Sequence, residues 1–207
     1  MKDMWDERYA SEDYAYGIEP NTFFKNTINA YNLKGKILLP AEGEGRNAVY
    51  AAKKGLEVTA FDISIEGKNK ALKLCQQEHV TINYAVGNFF DLDIINTTYN
   101  CAALIFAHFP PTLLSKYHKK ISELIVPNGM IILEGFSKNN LKLREKNPNI
   151  GGPKNEDFLF TKETIEKDFP DFEIILLEEQ QVELAEGLFH KGTASVIRFI
   201  GRKNKTT

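Results

Sequence analysis

The stretch KILLPAEGEGRNAVYAAKKGLEVTAFD, from Lys36 to Asp62, limits what this chain can fold into more than any other. It opens with a short apolar run over 36–40 and passes through Gly43 and Gly45. It then places Ala48, Val49 and Ala52 at helical spacing until Gly55 closes the helix as a C-cap. A second apolar run, 57–62, ends at Asp62. That order is strand, loop, helix, strand, the unit that builds parallel sheets.

The pattern continues downstream. SIEGKNKALKLCQQEH begins with Ser64 as an N-cap and carries Ala71, Leu72 and Cys75 on one helical face. Strands are expected at 82–88, 100–107 and 129–136, with a helix over 112–125 and a turn at Pro127, Asn128 and Gly129. The segment 137–160 is polar and weakly periodic and reads as a surface excursion over one edge. After a short helix at 161–169, two long strand patterns are joined by a few residues around Gly187 and Gly192, which suits an antiparallel pair. The expected fold is α/β, doubly wound, with a mainly parallel sheet and one antiparallel C-terminal strand. A length of 207 residues at 43% hydrophobic content is the size of one domain, 1–207.

In such a sheet ligands sit at the carboxyl ends of the central strands, and AEGEG is the first turn at that end. Gly43 and Gly45 let the backbone come close to a ligand, and the helix after them offers free N–H groups. Asp62, at the end of the second strand, is placed to accept the hydroxyls of a ribose. Gly43 to Ala48 formally satisfies the nicotinamide fingerprint G-x-G-x-x-G/A, but Glu42 and Glu44 would oppose a pyrophosphate. Acids there suit a ligand with an ammonium group, which points to S-adenosylmethionine. Three readings stay open: a methyltransferase, a binding module for this molecule, and a nicotinamide oxidoreductase.

Composition narrows the partner. Lys and Arg number 26 against 28 Asp and Glu, scattered without long blocks, so neither nucleic acid nor a membrane surface is expected and a small molecule is. The N-terminal stretch is polar and aromatic rather than signal-like. The apolar stretch CAALIFAHFPPTLL is broken by His108 and two prolines, so a soluble, cytoplasmic chain is expected. Cys75 and Cys101 have neither the number nor the spacing of a disulfide framework, and both read as buried and inert. No cluster has metal-ligand spacing.

The chain as a whole resembles the class I S-adenosylmethionine-dependent methyltransferases, in particular the small branch related to tellurite-resistance and thiopurine methyltransferases. The resemblance rests on WDERY (5–9), YGIEPN (16–21), AEGEGRNAVYAA (41–52), VTAFDIS (58–64), VGNFFD (86–91), HFPP (108–111) and the closing GTASVIRFIGRK. It implies a seven-stranded Rossmann-like sheet whose last strand is antiparallel. It also implies that Ala41, Glu42, Gly43 and Gly45 meet the methionine end of the cofactor, that Asp62 with Ile63 holds the ribose, and that Asn88 and Phe89 hold the adenine edge. By the same resemblance residues 1–21, with Trp5 and Tyr9, form a lid over the cofactor. The chain departs from the family pattern at the first strand and turn, where Leu39 replaces a common acid and Ala41 a glycine, and at the adenine position, where Asn88 replaces a common aspartate.

Arg8 is a candidate partner for the cofactor carboxylate. Trp5, Tyr9, Tyr14 and Tyr16 either pack on the core or face the sulfonium through cation–π attraction. His108, just after the fourth strand, is the candidate acid/base or substrate contact. Phe109, Glu134 and Phe136 line the same edge by position. His190, in the turn between the last strands, is a weaker candidate, and His79 and His118 read as surface. Methyl transfer needs in-line positioning more than acid/base chemistry, because the sulfonium is already activated. The favoured acceptor is a small soft nucleophile: a thiol, a selenol or a metalloid oxyanion.

Overall fold

The computed structural model describes residues 1–205. Its strands are β1 (Lys36–Pro40), β2 (Glu57–Asp62), β3 (Asn83–Val86), β4 (Tyr99–Ile105), β5 (Ile125–Phe136), β6 (Phe172–Glu186) and β7 (His190–Lys203). The helices are α1 (Lys2–Tyr9), α2 (Thr22–Tyr31), α3 (Arg46–Lys53), α4 (Ile65–Gln77), α5 (Leu114–Leu124), α6 (Asn140–Lys146) and α7 (Lys162–Asp168). All seven strands join one sheet in the order β3-β2-β1-β4-β5-β7-β6. Pairing is parallel from β3 to β5, and only β7 runs antiparallel to its two neighbours. The doubly wound sheet with an antiparallel C-terminal strand is therefore present. Strand order reverses between β1 and β4, and the crevice beyond their carboxyl ends is where such folds bind ligands.

Both faces of the sheet are covered, so its central strands are apolar on both sides. Ile37 and Leu39 of β1 pack with Cys101, Ala103 and Ile105 of β4 against α2, α3 and α4, through Phe24, Ile28, Ala48, Ala51 and Ala71. Leu38, Ala102 and Leu104 face the other way, onto Leu114, Tyr117 and Ile121 of α5. Ile37, Leu38 and Leu39 are fully buried, a contribution of about 1.5–3 kcal/mol each. Cys75 and Cys101 are buried and unpaired, and burial pushes the Cys75 thiol up to about 11.

Local signals place the helix ends. The Asn21 side chain caps α2 by accepting from the Phe24 N–H at 2.9 Å, and Ser64 caps α4 by accepting from the Gly67 N–H at 3.1 Å. Gly55, at φ 82°, follows α3 as expected of a C-terminal glycine. The expected turn at 127–129 lies within β5 as an irregularity in its pairing with β4, with Asn128 at φ 63°. The segment 137–160 is more than a surface excursion: it carries α6 and brings Ile150, Leu159 and Phe160 into the interior. His118, which by pattern reads as surface, is fully buried and pairs with Asp168 at 2.7 Å, joining α5 to α7. Helical periodicity placed it on a face that α7 covers. Among the described residues no helix is long and apolar enough to cross a membrane.

Candidate active site

The turn after β1 is shaped by three left-handed residues, Ala41 (φ 51°), Gly43 (φ 62°) and Gly45 (φ 88°). Ala41 holds this conformation at a cost that glycine would not incur. A Cβ at Gly43 would lie 2.6 Å from the Tyr9 hydroxyl, and one at Gly45 2.5 Å from the Ala71 Cβ. Gly43 is thus needed for close approach from above, and Gly45 for the packing of α3 on α4.

The two acids of the turn have separate tasks. Glu42 reaches over the start of α3, where its Oε1 accepts from the N–H groups of Asn47 at 2.9 Å and Ala48 at 2.8 Å. Burial raises its carboxyl from 4.5 to about 7, against the pull of those bonds and of Arg46. The Glu44 carboxylate is engaged by the N–H groups of Ala15 and Tyr16 and by the Lys70 ammonium at 2.8 Å. Its charge is spent on holding the N-terminal segment, so of the two acids only Glu42 keeps an oxygen without a bond among the described residues. Asp62 is 6% exposed and accepts from the Gly43 N–H at 3.0 Å and from the Ser64 N–H at 2.9 Å. Burial raises its pKa and these bonds oppose the rise. Each oxygen retains a lone pair, so the carboxylate that braces the turn still has capacity for two hydroxyls. Ile63, half-buried, follows it into α4.

Beyond β3, Asn88 is exposed; its carbonyl oxygen accepts from the Tyr117 hydroxyl at 2.8 Å and its amide donates to Asp91 at 3.0 Å. The Phe89 side chain is fully buried and stacks on Phe61 at 5.0 Å, so it offers no side-chain surface to a ligand.

The N-terminal segment lies over the turn. Tyr9 is 5% exposed and stacks on Trp5 at 5.4 Å, while Asp6 accepts from the Ser64 hydroxyl and the Ile65 N–H, fastening α1 to the start of α4. Arg8 donates to the Tyr16 hydroxyl at 2.7 Å, and its guanidinium lies 4.9 Å from the ring centres of Trp5 and Phe189. No carboxylate among the described residues pairs with it, which leaves it available to an anionic group.

A cluster of aromatic rings lies beyond β4 and β5. Phe106 follows β4 directly and stands at φ 53°, a strained position for an aromatic residue. Its ring meets Phe136 at 4.7 Å and His190 at 4.6 Å, and His190 meets Tyr16 at 4.5 Å. His108 sits behind this cluster: its Nδ1 donates to the Phe158 carbonyl at 2.7 Å and its Nε2 accepts from the Phe136 N–H at 3.1 Å. Burial lowers its pKa to about 4, so the ring is neutral and clips the 137–160 segment to β5. Neither nitrogen is left to take a proton from a substrate. Phe109 is a core residue stacked on Tyr117 at 4.2 Å. Glu134 is 1% exposed and held by Arg198 and the Asn21 amide; burial raises its pKa and Arg198 opposes this. Of the residues placed at this edge by position, Phe136 reaches the cluster.

Sequence reasoning passed over Phe106 and Glu186 and ranked His190 low. The conformation of Phe106 has no signal in residue type. The bond from His190 Nδ1 to Glu186 at 3.1 Å, four residues apart across the β6–β7 turn, is one that hairpin spacing does suggest. Among the described residues, no group of His, Cys, Asp and Glu is arranged to hold a metal ion.

Residues 37–129, from β1 into β5, match the family model for a methyltransferase domain. Over those residues the chain is similar to a methyltransferase domain. The match spans the glycine turn after β1, Asp62, Asn88 and the end of β4, and stops short of the N-terminal segment and the β6–β7 hairpin. No curated protein matches the sequence. Among solved structures, a protein from work on the conversion of a disulfide bond into a thioacetal group during echinomycin biosynthesis superposes with TM-score 0.79 at 14% identity, over 100% of this chain and 94% of its own. TehB from Haemophilus influenzae has TM-score 0.71 at 15% identity, over 98% and 67%. Magnesium protoporphyrin IX methyltransferase (ChlM) from Synechocystis PCC 6803, with bound SAH, has TM-score 0.69 at 14% identity, over 98% of both chains. At these identities the likeness is one of fold, and this chain shares it over nearly its whole length.

Proposed function

We propose that the protein transfers the methyl group of S-adenosylmethionine to a small soft nucleophile of the thiol, selenol or metalloid oxyanion class. The observation that carries this reading is the acceptor side, where Phe106, Phe136, Tyr16 and His190 meet ring to ring while the nearby charges are paired with one another, Glu134 with Arg198 and Glu186 with Arg46. Such a surface suits a compact, polarisable acceptor, and its aromatic faces help to keep water from the transfer. The likeness in fold to TehB and to the thioacetal-forming protein agrees with soft-atom chemistry.

The cofactor, when bound, supplies an activated methyl group, and the chain's residues hold and screen it. Asp62 is suited to the ribose hydroxyls, the unbonded oxygen of Glu42 to an ammonium, Arg8 to a carboxylate, and the backbone at Asn88 and Phe89 to an adenine edge. Residues 1–21, with Trp5 and Tyr9, act as a lid that closes over it. His108 serves as a clip behind the acceptor wall.

Calorimetry with S-adenosylmethionine, S-adenosylhomocysteine and NAD tests the cofactor, and binding of NAD alone would overturn the reading. A screen of thiols, selenite, tellurite and thiopurines for release of S-adenosylhomocysteine tests the acceptor. Tight cofactor binding with no turnover on any of them would make the protein a binding module.

A further inference from the structure

The geometry points to His190 as the proton acceptor of the reaction, held by Glu186 and serving an acceptor that arrives as a thiol or selenol still carrying its proton. The inference rests on the proposed methyl transfer and narrows its acceptor class: an oxyanion already ionised has no proton to give, and would leave this arrangement without a task.

Four observations place His190 in that role. Its ring is 5% exposed and meets Tyr16, Phe106 and Phe136, so it stands in the aromatic wall directly beyond β4, where cofactor and acceptor converge. Its Nδ1 lies 3.1 Å from Glu186 Oε2, the same oxygen that accepts from Arg46 at 2.7 Å, while Oε1 accepts from the Asn21 amide at 3.0 Å. A carboxylate so held is charged and only accepts, so Nδ1 carries the proton and Nε2 presents its lone pair. Burial works against the charge on Glu186, but His190 and Arg46 outweigh it and keep its carboxyl at about 2. Nε2, finally, bonds to nothing among the described residues and is not among the polar atoms sealed from solvent. Gly151 borders that edge, where a Cβ would stand 3.2 Å from Nε2 and 2.7 Å from Cδ2, so glycine keeps it open.

The contrast with His108 is one of bonding. Both rings are buried, but both nitrogens of His108 are bonded to backbone, whereas one nitrogen of His190 is free. The groups facing His190 are Glu186 of β6, Arg46 of α3, Arg8 of α1, Tyr16 and His108. Burial lowers its pKa, Glu186 opposes this, and the two arginines reinforce it, so the ring is neutral and able to accept at neutral pH. During transfer the acceptor's sulfur lone pair forms the bond to the methyl carbon. The carbon–sulfonium bond breaks with its electron pair returning to the cofactor sulfur, and the thiol proton passes to His190 Nε2. The resulting imidazolium is stabilised through Nδ1–H by Glu186, and the proton leaves to water as the thioether departs.

The test uses the full chain and two readouts. Long-range proton–nitrogen NMR should find His190 with its proton on Nδ1 and Nε2 bare, and Glu186→Ala, which leaves Nδ1 without its acceptor, should lose that preference. Rates are then measured across pH with alkyl and aryl thiols of graded acidity. His190→Asn keeps a donor at the place of Nδ1, so the bond to Glu186 and the fold survive, but it has no atom at Nε2. It should lose about 10²–10⁴-fold on alkyl thiols, the usual contribution of a positioned base, and little on aryl thiols already ionised at the assay pH. His190→Gln, with an amide near the place of Nε2, should be equally slow on alkyl thiols. Equal rates for wild type and His190→Asn on alkyl thiols, or a proton found on Nε2, would overturn the assignment. A wild type that binds S-adenosylmethionine and methylates only oxyanions would sink it while the wider reading stands. Failure to bind the cofactor at all would instead sink the wider reading.

Discussion

Replacing Glu42 by Gln changes one thing at the turn, the ability to ionise. The amide oxygen of Gln still accepts from the N–H groups of Asn47 and Ala48, so the start of α3 stays capped. In the folded wild type the carboxyl titrates at about 7 against an ordinary 4.5, because burial disfavours its charge. Between those values the folded chain holds a proton that the unfolded chain has released. Wild-type stability from this group therefore falls as pH rises from 4.5 to about 7 and is level beyond. At about 1.4 kcal/mol per pH unit the loss is on the order of 3 kcal/mol. Glu42→Gln escapes it, so the stability of the variant relative to wild type should climb by about that amount across the window. Urea unfolding of both proteins at half-unit steps from pH 4.5 to 8 measures this. Only the difference between them is diagnostic, because His108, titrating at about 4 in the folded chain, contributes the opposite slope: its stability is present above its ordinary 6.5 and is lost as pH falls toward 4. Two curves that stay parallel would refute the claim that the pKa of Glu42 is raised in the folded chain. Cofactor added at pH 7 should shrink the difference if its ammonium reaches the free oxygen of Glu42.

Asp62→Ala removes charge-assisted bonds worth about 1.5–3 kcal/mol each, so cofactor affinity by calorimetry should fall at least about tenfold; a folded variant with unchanged affinity takes Asp62 out of the site. His108→Ala leaves the Phe158 carbonyl and the Phe136 N–H without partners, at about 1–3 kcal/mol each, and should lower the urea midpoint while the pH profile of methyl transfer keeps its shape. A lost alkaline or acid limb in that profile would return His108 to the chemistry. Hydrogen exchange over residues 1–21 should slow when cofactor binds, as expected of a lid; protection already complete without cofactor would mean plain packing.

Much of the fold was legible because its signals are local. Periods of two and 3.6 mark strands and helices, Asn21 and Ser64 announce helix starts, Gly55 an end, and a βα alternation closed by a hairpin admits few topologies. The turn at 41–45 and the acid at 62 were legible for the same reason, since a strand end, a glycine turn and a following helix are neighbours in the chain. What only the tertiary structure decided is who meets whom. His108 and His190 are one residue type at two strand ends, yet packing gave both nitrogens of the first to the backbone and left one nitrogen of the second open. Phe109 went to the core and Phe106 to the cleft because the backbone turns left-handed at Phe106. Glu44, an acid at the cofactor turn, was claimed by Ala15, Tyr16 and Lys70 from segments far from it in sequence. A side chain's partners depend on which distant surfaces close over it, and neither residue type nor spacing carries that information; hence the glycine turn and its acid are written in the sequence, and the aromatic cluster beyond β4 in the packing.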